Sequence, residues 1–269
     1  MDKIDFTLHD QHVHTCFSAD SKEDLEEYIK IATNKGCKYF VTTDHLDLDI
    51  AGSKKDWIAD YGKEFELFNS FKDKYHIEFL MGIEYGYKVS ERIRIEEVLK
   101  EVPFDIINAS VHDYNKIDFY FYKDFEKYGI DYTIDKYFEL LIDLANSDWD
   151  YDVLSHIDYG FKTLYLLDNN YSIKDYEEEL INIFKGIIKN NKALEINTKV
   201  QEAINDDGHL KYILRLYKSL GGEYLTLSSD AHNKERYLSG YDKYVKIIKD
   251  SGFDRLCYFV KRKMYFYDI

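Results

Sequence analysis

The chain has 269 residues, 45% of them hydrophobic and 17% aromatic, which is enough apolar material for a sizeable core and excludes a disordered chain. Fifty-one acidic residues against 36 basic ones give a formal net charge of −15. This charge disfavours nonspecific binding to nucleic acid or to an anionic membrane surface, so we expect neither partner.

The cysteines and the amino terminus restrict the class of protein further. Cys16, Cys37 and Cys257 are widely spaced and form no CxxC pair, so a disulfide framework or a zinc ribbon is not indicated. The first ten residues lack the basic-then-apolar pattern of a signal peptide, and no apolar run is long enough to span a bilayer. We therefore expect a cytoplasmic enzyme.

The opening stretch predicts a strand that ends at His12 and His14. Side chains two residues apart on a strand point the same way, so the two imidazoles face one site. Asp10 precedes them and Asp20 follows, and imidazoles with nearby carboxylates indicate half of a metal site.

From here helices and strands alternate, and the strands carry polar side chains near their carboxyl ends. The predicted elements are, in order, a helix from a Ser21–Asp24 capping box to Gly36, a strand over 38–43 before Asp44 and His45, a helix over roughly 54–75, a strand over 78–86 containing Glu84, a helix over 92–100, and a strand over 104–112 ending at His112.

The second half continues the alternation after a loop predicted over 113–129. The predicted elements are a helix with an apolar stripe from Ile134 to Leu144, a strand over 152–158 with His156, a helix opening at Ser172, a strand over 193–199 presenting Glu195, Asn197 and Lys199 at period two, a helix around 210–217, a strand over 223–232 with Asp230 and His232, and a final helix within 240–269.

This alternation predicts an α/β fold with a parallel sheet. Reactive groups at the carboxyl ends of seven strands suit a distorted, TIM-like (β/α)7 barrel with the active site on that face. No linker, repeat or charge block divides the chain, so we predict one domain over residues 1–269.

The polar side chains at the strand ends form a candidate multinuclear metal site. Nine nitrogen and oxygen ligands exceed what one ion takes, which implies two or three divalent ions. The absence of thiolates favours zinc, iron or manganese. Asp10, Asp44 and Glu195 are candidates for orienting the ligand imidazoles. The nine candidate ligands are His12, His14, Asp20, His45, Glu84, His112, His156, Asp230 and His232.

The blocks DQHVH, TDH and SDAH, the glutamate of GIEYG, and the histidines of ASVH and LSHID resemble the PHP (polymerase and histidinol phosphatase) family, in its histidinol-phosphatase branch. The resemblance covers nearly the whole chain and implies a distorted seven-stranded barrel with up to three ions. It assigns the first ion to His12, His14, Glu84 and Asp230, the second to Glu84, His112 and His156, and the third to Asp20, His45 and His232. Glu84, Asp230 and His232 are also its catalytic residues.

A phosphate needs cationic or polar contacts beyond the metal ions. Lys199 and Asn197 share the predicted inward face of their strand, and Lys162 lies six residues after His156. Arg236, just past His232, is a further candidate. Relatives tend to have arginine near these points, and lysine keeps the charge without the bidentate fork.

The resemblance implies hydrolysis of L-histidinol phosphate to L-histidinol and phosphate, a step of histidine biosynthesis, by a metal-bridging hydroxide that attacks phosphorus. Two other enzyme activities remain as alternatives: a phosphodiesterase or nuclease of the same family, and a phosphatase for another small phosphorylated metabolite. A metal-binding protein without turnover is disfavoured by the intact ligand set.

Overall fold

A mixed, mostly parallel sheet of eight strands is the centre of the fold. The structure is a computed structural model that describes residues 9–269. Six strand pairs in this sheet are parallel and one, β2 with β3, is antiparallel. Its strands are β1 (Tyr39–Thr42), β2 (His45–Asp47), β3 (Trp57–Ile58), β4 (Glu78–Gly86), β5 (Ile106–Ser110), β8 (Val153–Leu154), β9 (Ala193–Asn197) and β10 (Leu225–Ser228).

Two small hairpins lie outside this sheet. One is β6 (Asp113–Tyr114) with β7 (Ile117–Asp118), and the other is β11 (Arg255–Val260) with β12 (Lys263–Asp268). The α-helices that connect and cover the strands are α1 (Leu25–Asn34), α2 (Tyr61–Phe71), α3 (Arg92–Glu101), α4 (Tyr122–Tyr128), α5 (Ile130–Asn146), α6 (Tyr159–Leu167), α7 (Glu177–Lys189), α8 (Thr198–Ile204), α9 (Asp207–Ser219) and α10 (Tyr241–Asp250).

The register of the sheet aligns polar side chains at one end. His45 on β2 is paired with Glu84 on β4, and Glu84 is paired in turn with Asn108 on β5. On the other side of the sheet, Asn197 at the end of β9 is paired with Ser228 on β10. Because the strands are parallel, their carboxyl ends meet at this edge, and the site forms there.

The segment around Val13 touches both sides of the sheet. The N–H of His14 donates to the carbonyl of Ala231, just after β10, at 2.8 Å, and the N–H of Thr43, just after β1, donates to the carbonyl of Val13 at 2.8 Å. The predicted first strand appears within the described residues only as this bridge between Val13 and Ala231, and its earlier residues, 1–8, lie outside them.

Several elements differ from the sequence prediction. Asp24 rather than Ser21 caps α1, while Ser21 donates to the carbonyls of His14 and His232. The predicted loop over 113–129 contains the β6–β7 hairpin and α4, and the chain end adds the β11–β12 hairpin to the expected helix.

Two short helices, α6 and α8, were not predicted, and both begin directly after site residues. The side chain of Asn197 accepts a hydrogen bond from the N–H of Val200, so it caps α8 and ends the strand that was expected to run to Lys199. Lys199 therefore projects from the first turn of a helix.

The apolar interior is continuous along most of the chain. One cluster of buried hydrophobic side chains extends from Leu46 on β2 to Leu256 on β11 and includes the inner faces of α5, α7 and α9. Within residues 9–269, no helix has the length and apolar character needed to cross a membrane.

Candidate metal centre

The predicted ligands converge at the carboxyl ends of the parallel strands. Five overlapping groups of His, Asp and Glu side chains each place their ligand atoms within 4.8 Å of one another. These groups contain every predicted ligand except Asp230, together with Asp47 and Glu195. Asp230 is nevertheless close, with its Oδ1 3.5 Å from His14 Nε2.

His12 and His14 place their Nε2 atoms only 3.0 Å apart. The Nδ1 of His12 lies 2.7 Å from Oε1 of Glu195, and because an ionised carboxylate only accepts, this nitrogen carries the proton. The Nδ1 of His14 lies 3.1 Å from Ser18 Oγ, whose own proton is donated to Asp44, so this nitrogen is also the donor. In neutral rings, both Nε2 atoms then present lone pairs to the same point.

The carboxylate of Glu84 occupies the space between two sets of histidines. Its Oε2 lies 3.2 Å from His12 Nε2 and 3.4 Å from His14 Nε2. Its Oε1 lies 2.8 Å from His156 Nε2 and 3.3 Å from His112 Nε2. A carboxylate with one oxygen directed at each set has the placement of a group that bridges two ions.

A third group lies towards the solvent. His232 Nε2 is 2.8 Å from Asp20 Oδ2, and His45 Nε2 is 3.5 Å from the same oxygen. The ring of His14 stacks on His45 with centroids 4.2 Å apart, so this group adjoins the one around His12.

The electrostatics show where positive charge is missing. Burial lowers the pKa of His12, but the carboxylates of Glu84, Glu195 and Asp230 outweigh it and raise this pKa well above its usual range. Burial, with the nearby His45 and His232, lowers the pKa of His14 and keeps that ring neutral. The buried carboxylates thus favour a proton on His12, and a divalent cation bound among them would supply that positive charge instead.

The residues present therefore fit metal ions. Imidazole nitrogens and carboxylate oxygens are ligands for zinc, iron and manganese, and in His12, His14 and His112 an acceptor holds the proton on Nδ1. In addition, Nδ1 of His156 is buried and has no hydrogen-bond partner among the described residues.

Asp47 orients the ring of His112 and lies beside that of His45, and it was not among the predicted site residues. His112 donates its Nδ1 proton to Asp47 Oδ1 at 2.8 Å, and Oδ2 lies 2.9 Å from His45 Nδ1. The alternation of His45 and Asp47 on one face of β2 was the available signal. Gly86 makes room for this carboxylate, because a Cβ at that position would overlap Asp47 Oδ1.

The three carboxylates predicted to orient imidazoles occupy different positions. Glu195 contacts His12 directly, and its Oε2 accepts the N–H of His156 at 2.8 Å. Asp44 acts on His14 only through Ser18, whose hydroxyl donates to it, and it also accepts from the N–H and hydroxyl of Thr15. Within residues 9–269 Asp10 is hydrogen-bonded to no imidazole and instead accepts from the N–H of Ser229 at 2.9 Å, which ties the first segment to the end of β10.

Two lysines reach the candidate site. Lys162 on α6 is buried, with 8% exposure, and its Nζ lies 4.3 Å from the ring centre of Tyr159 and 4.7 Å from that of Tyr120. Within residues 9–269 no carboxylate pairs with it. Lys199 places its Nζ 3.2 Å from Asp230 Oδ1 and 3.1 Å from His232 Nδ1.

The other two predicted phosphate contacts have different roles. Asn197 caps α8 through Oδ1, and its Nδ2 lies 3.3 Å from both Glu195 Oε2 and Asp230 Oδ2. Arg236 pairs with Glu202 at 2.7 Å and does not line the cavity. These contacts do not test whether the two side chains also bind phosphate, which stays a prediction.

A cavity of about 1180 Å³ opens over the centre. Asp20, Glu84 and Asp230 lie among its lining residues, and both Lys162 and Lys199 face it. Aromatic side chains, including those of Trp57, Tyr120, Phe121, Tyr122 and Tyr159, form much of its wall.

A family model described as PHP domain matches residues 10–199, more than half of the chain. The chain belongs to the PHP family. Asp230 and His232 lie beyond the matched segment, yet the fold brings both to the strand ends that this segment contributes.

PHP-family relatives resemble this chain along most of its length. It is 28% identical over 265 residues to a histidinol-phosphatase of Lactococcus lactis subsp. lactis (strain IL1403), covering 95% of each chain. It is 26% identical over 258 residues to a probable histidinol-phosphatase of Clostridium acetobutylicum, covering 95% of this chain and 98% of the relative.

A solved structure is similar as well. The crystal structure of histidinol phosphate phosphatase from Lactococcus lactis subsp. lactis Il1403, complexed with zinc, L-histidinol and phosphate, superposes with a TM-score of 0.80 at 26% identity. The match covers 96% of this chain and 98% of that one. The α/β fold and mixed sheet described above are thus those of a PHP-family histidinol phosphatase.

Proposed function

We propose that this chain is a metal-dependent phosphomonoesterase that hydrolyses L-histidinol phosphate to L-histidinol and phosphate. The observation that carries the proposal is the convergence of imidazole lone pairs and buried carboxylates beside two lysines in one cavity. The relatives support the substrate, since both are named for histidinol-phosphatase activity and the similar structure holds zinc, L-histidinol and phosphate.

Two to three divalent ions would be held by three sets of side chains. His12, His14, Glu84 and Asp230 form the first, and Glu84 with His112 and His156 forms the second. Asp20, His45 and His232 form the third, which lies nearest the solvent because the Asp20 side chain is 32% exposed. Zinc, iron and manganese all suit this donor chemistry.

The chain's own residues prepare the ligands. Glu195 and Asp47 accept the Nδ1 protons of His12 and His112, so each ring offers Nε2 to the centre. Asn197 connects Glu195 to Asp230 through its amide and keeps both carboxylates in place. When bound, the ions supply Lewis-acid charge that lowers the pKa of water and neutralises phosphoryl oxygens.

Lys162 and Lys199 bind the phosphate oxygens that face away from the metal centre. Lys162 is suited to this because its ammonium is buried between two tyrosine rings and, within residues 9–269, has no carboxylate partner, so an anion gains a largely desolvated charge-assisted contact. Lys199 is more exposed, and its contact with Asp230 places it at the edge of the centre.

We also propose that the sheet closes as the predicted seven-stranded barrel within one domain over residues 1–269. The support is the Val13 segment, which hydrogen-bonds to Ala231 beyond β10 and to Thr43 beyond β1, at opposite sides of the sheet. A strand in that position would close the sheet and fix His12 and His14 over the centre.

A substrate panel tests the function. The metal-reconstituted protein is assayed for phosphate release from L-histidinol phosphate, from other phosphorylated metabolites, and from a phosphodiester such as bis-p-nitrophenyl phosphate. We expect the highest kcat/KM with L-histidinol phosphate and little turnover of the diester. A clear preference for the diester, or for an unrelated monoester, would contradict the assignment.

A further inference from the structure

The cavity contains a carboxylate that the metal centre does not use. Asp118, at the end of β7, lines the cavity, and its Oδ1 accepts the N–H of Tyr120 at 2.9 Å. Across the hairpin, Asp113 is paired with Lys88 at 2.7 Å. Among residues 9–269 no Lys, Arg or His nitrogen forms an ion pair with Asp118, and its charge interacts with those of His112 and Lys162 without direct contact.

The hairpin places Asp118 beside the candidate metal ligands. The N–H of Phe119 donates to the carbonyl of His112 at 3.0 Å, so Asp118 lies next to a residue that would hold an ion. A small ligand with its phosphoryl group at the centre therefore extends its next few atoms past Asp118.

The surroundings make an unpaired carboxylate costly. Burial raises the pKa of Asp118, and Asp113 faces it directly across the two strands with a like charge. Tyr120, Phe121 and Tyr122 follow along the cavity wall with 56%, 53% and 50% exposure, so about half of each aromatic side chain faces the cavity and the solvent. A ligand cation held here is attracted more strongly than in open solvent.

We propose that Asp118 binds the ammonium group of the substrate and so selects phosphomonoesters of amino alcohols. This inference rests on the proposed function and adds the residue that recognises the part of the substrate other than its phosphate. The lysines hold the anionic end and Asp118 the cationic end, which sets the direction of the ligand in the cavity. The ammonium is the partner rather than the imidazole, because an imidazole with a pKa near 6.5 is mostly neutral above pH 7 while an aliphatic amine keeps its proton.

The test compares two substrates in three proteins. The substrates are L-histidinol phosphate and its deamino analogue, imidazolylpropyl phosphate, assayed at pH 7.5 with wild type, Asp118→Asn and Asp124→Asn. Asparagine keeps the oxygen that accepts from Tyr120 but removes the charge. Asp124 is the matched control, because it belongs to the same region and accepts the N–H of Asp118 at 2.8 Å without lining the cavity.

We expect Asp118→Asn to lower kcat/KM for L-histidinol phosphate about ten- to a hundredfold and to change that for the deamino analogue less than about threefold. Wild type and Asp124→Asn should both prefer the amine-bearing ester. An equal fall on both substrates would assign Asp118 a structural role, and no fall on either would remove it from recognition, so both results overturn the proposal. Equal turnover of the two esters by wild type would overturn it while leaving the phosphatase function intact. Hydrolysis of neither by wild type would refute the function itself, and with it this assignment.

Discussion

At the scale of single residues, the centre depends on which ring nitrogen carries the proton. Glu195 holds the Nδ1 proton of His12, and Ser18, itself a donor to Asp44, receives that of His14. Without these acceptors each ring is free to place its proton on Nε2, where it blocks a metal ion. The orienting groups therefore act on metal affinity through the tautomer.

Changing Glu195 to glutamine tests this control. The amide can direct its NH2 group at His12 Nδ1, which favours the tautomer with the proton on Nε2. We expect Glu195→Gln to weaken binding of the ion assigned to His12 about ten- to a hundredfold. Competition with a metal chelator measures the affinity, and circular dichroism reports whether the fold is retained. Unchanged affinity in a folded variant would contradict the tautomer argument.

Lys162 provides a pH-dependent prediction at the same scale. Burial, with the nearby charge of Lys199, lowers the pKa of Lys162 to about 8. The ammonium is present below this pH and is lost above it, so phosphate binding weakens as the pH rises through 8. We expect kcat/KM to fall on the alkaline side near pH 8 and expect Lys162→Arg to move that fall upward, because arginine stays charged. A profile that is identical in both proteins would exclude Lys162 from phosphate binding.

The strand-end histidines were visible in the sequence because alternation and strand propensity are local properties. The environment of Lys162 was not, since Tyr120 and Tyr159 come from different parts of the chain. The capping hydrogen bond of Asn197 and the ion pair of Arg236 with Glu202 were not predicted either, because residue type and strand alternation do not reveal such partners.

At the scale of elements, β4 supports the centre with a glutamate and with a glycine that has no side chain. Glu84 would supply the bridging carboxylate of the proposed centre, and Gly86, two residues later on the same face, leaves space for Asp47 between the strands. The close approach of β2 to β4 therefore depends on a residue without a side chain.

Gly86→Ala is expected to disturb the centre more than the fold. The new methyl group displaces Asp47, and His112 loses the acceptor of its Nδ1 proton. We expect a loss of metal-dependent activity of about tenfold or more, measured as kcat for phosphate release. Gly62→Ala is the control, because its Cβ would make only an ordinary contact, at 3.7 Å, in the first turn of α2, and its activity should be unchanged. Equal activity in both variants would show that Asp47 does not need this space.

Long elements were predictable and short ones were not. The bounds of β4 agree with the predicted strand over 78–86, because nine residues give a clear pattern. The helices α6 and α8 were not predicted because each is short, and α8 also follows directly after β9, where the cap Asn197 replaces an apolar repeat as the signal.

At the scale of the whole molecule, the fold collects ligands from distant parts of the chain. His12 lies near the beginning and His232 near the end, yet His14 connects them, with its ring 5.0 Å from that of His12 and 4.3 Å from that of His232. The order of helices and strands predicted the α/β class, because parallel strands need crossover connections. Closure of the sheet depends on contacts between its two sides, and the spacing of apolar residues along the sequence does not predict such contacts.

The central claim is that several metal ions, held at the ends of these strands, carry out hydrolysis of a phosphomonoester. It is tested most directly by titrating metal-free protein with zinc, and separately with manganese, while following phosphate release from L-histidinol phosphate. We expect activity to be absent without metal and to rise until two to three equivalents per chain are bound. Full activity at one equivalent or less, or activity that does not depend on metal, would contradict it.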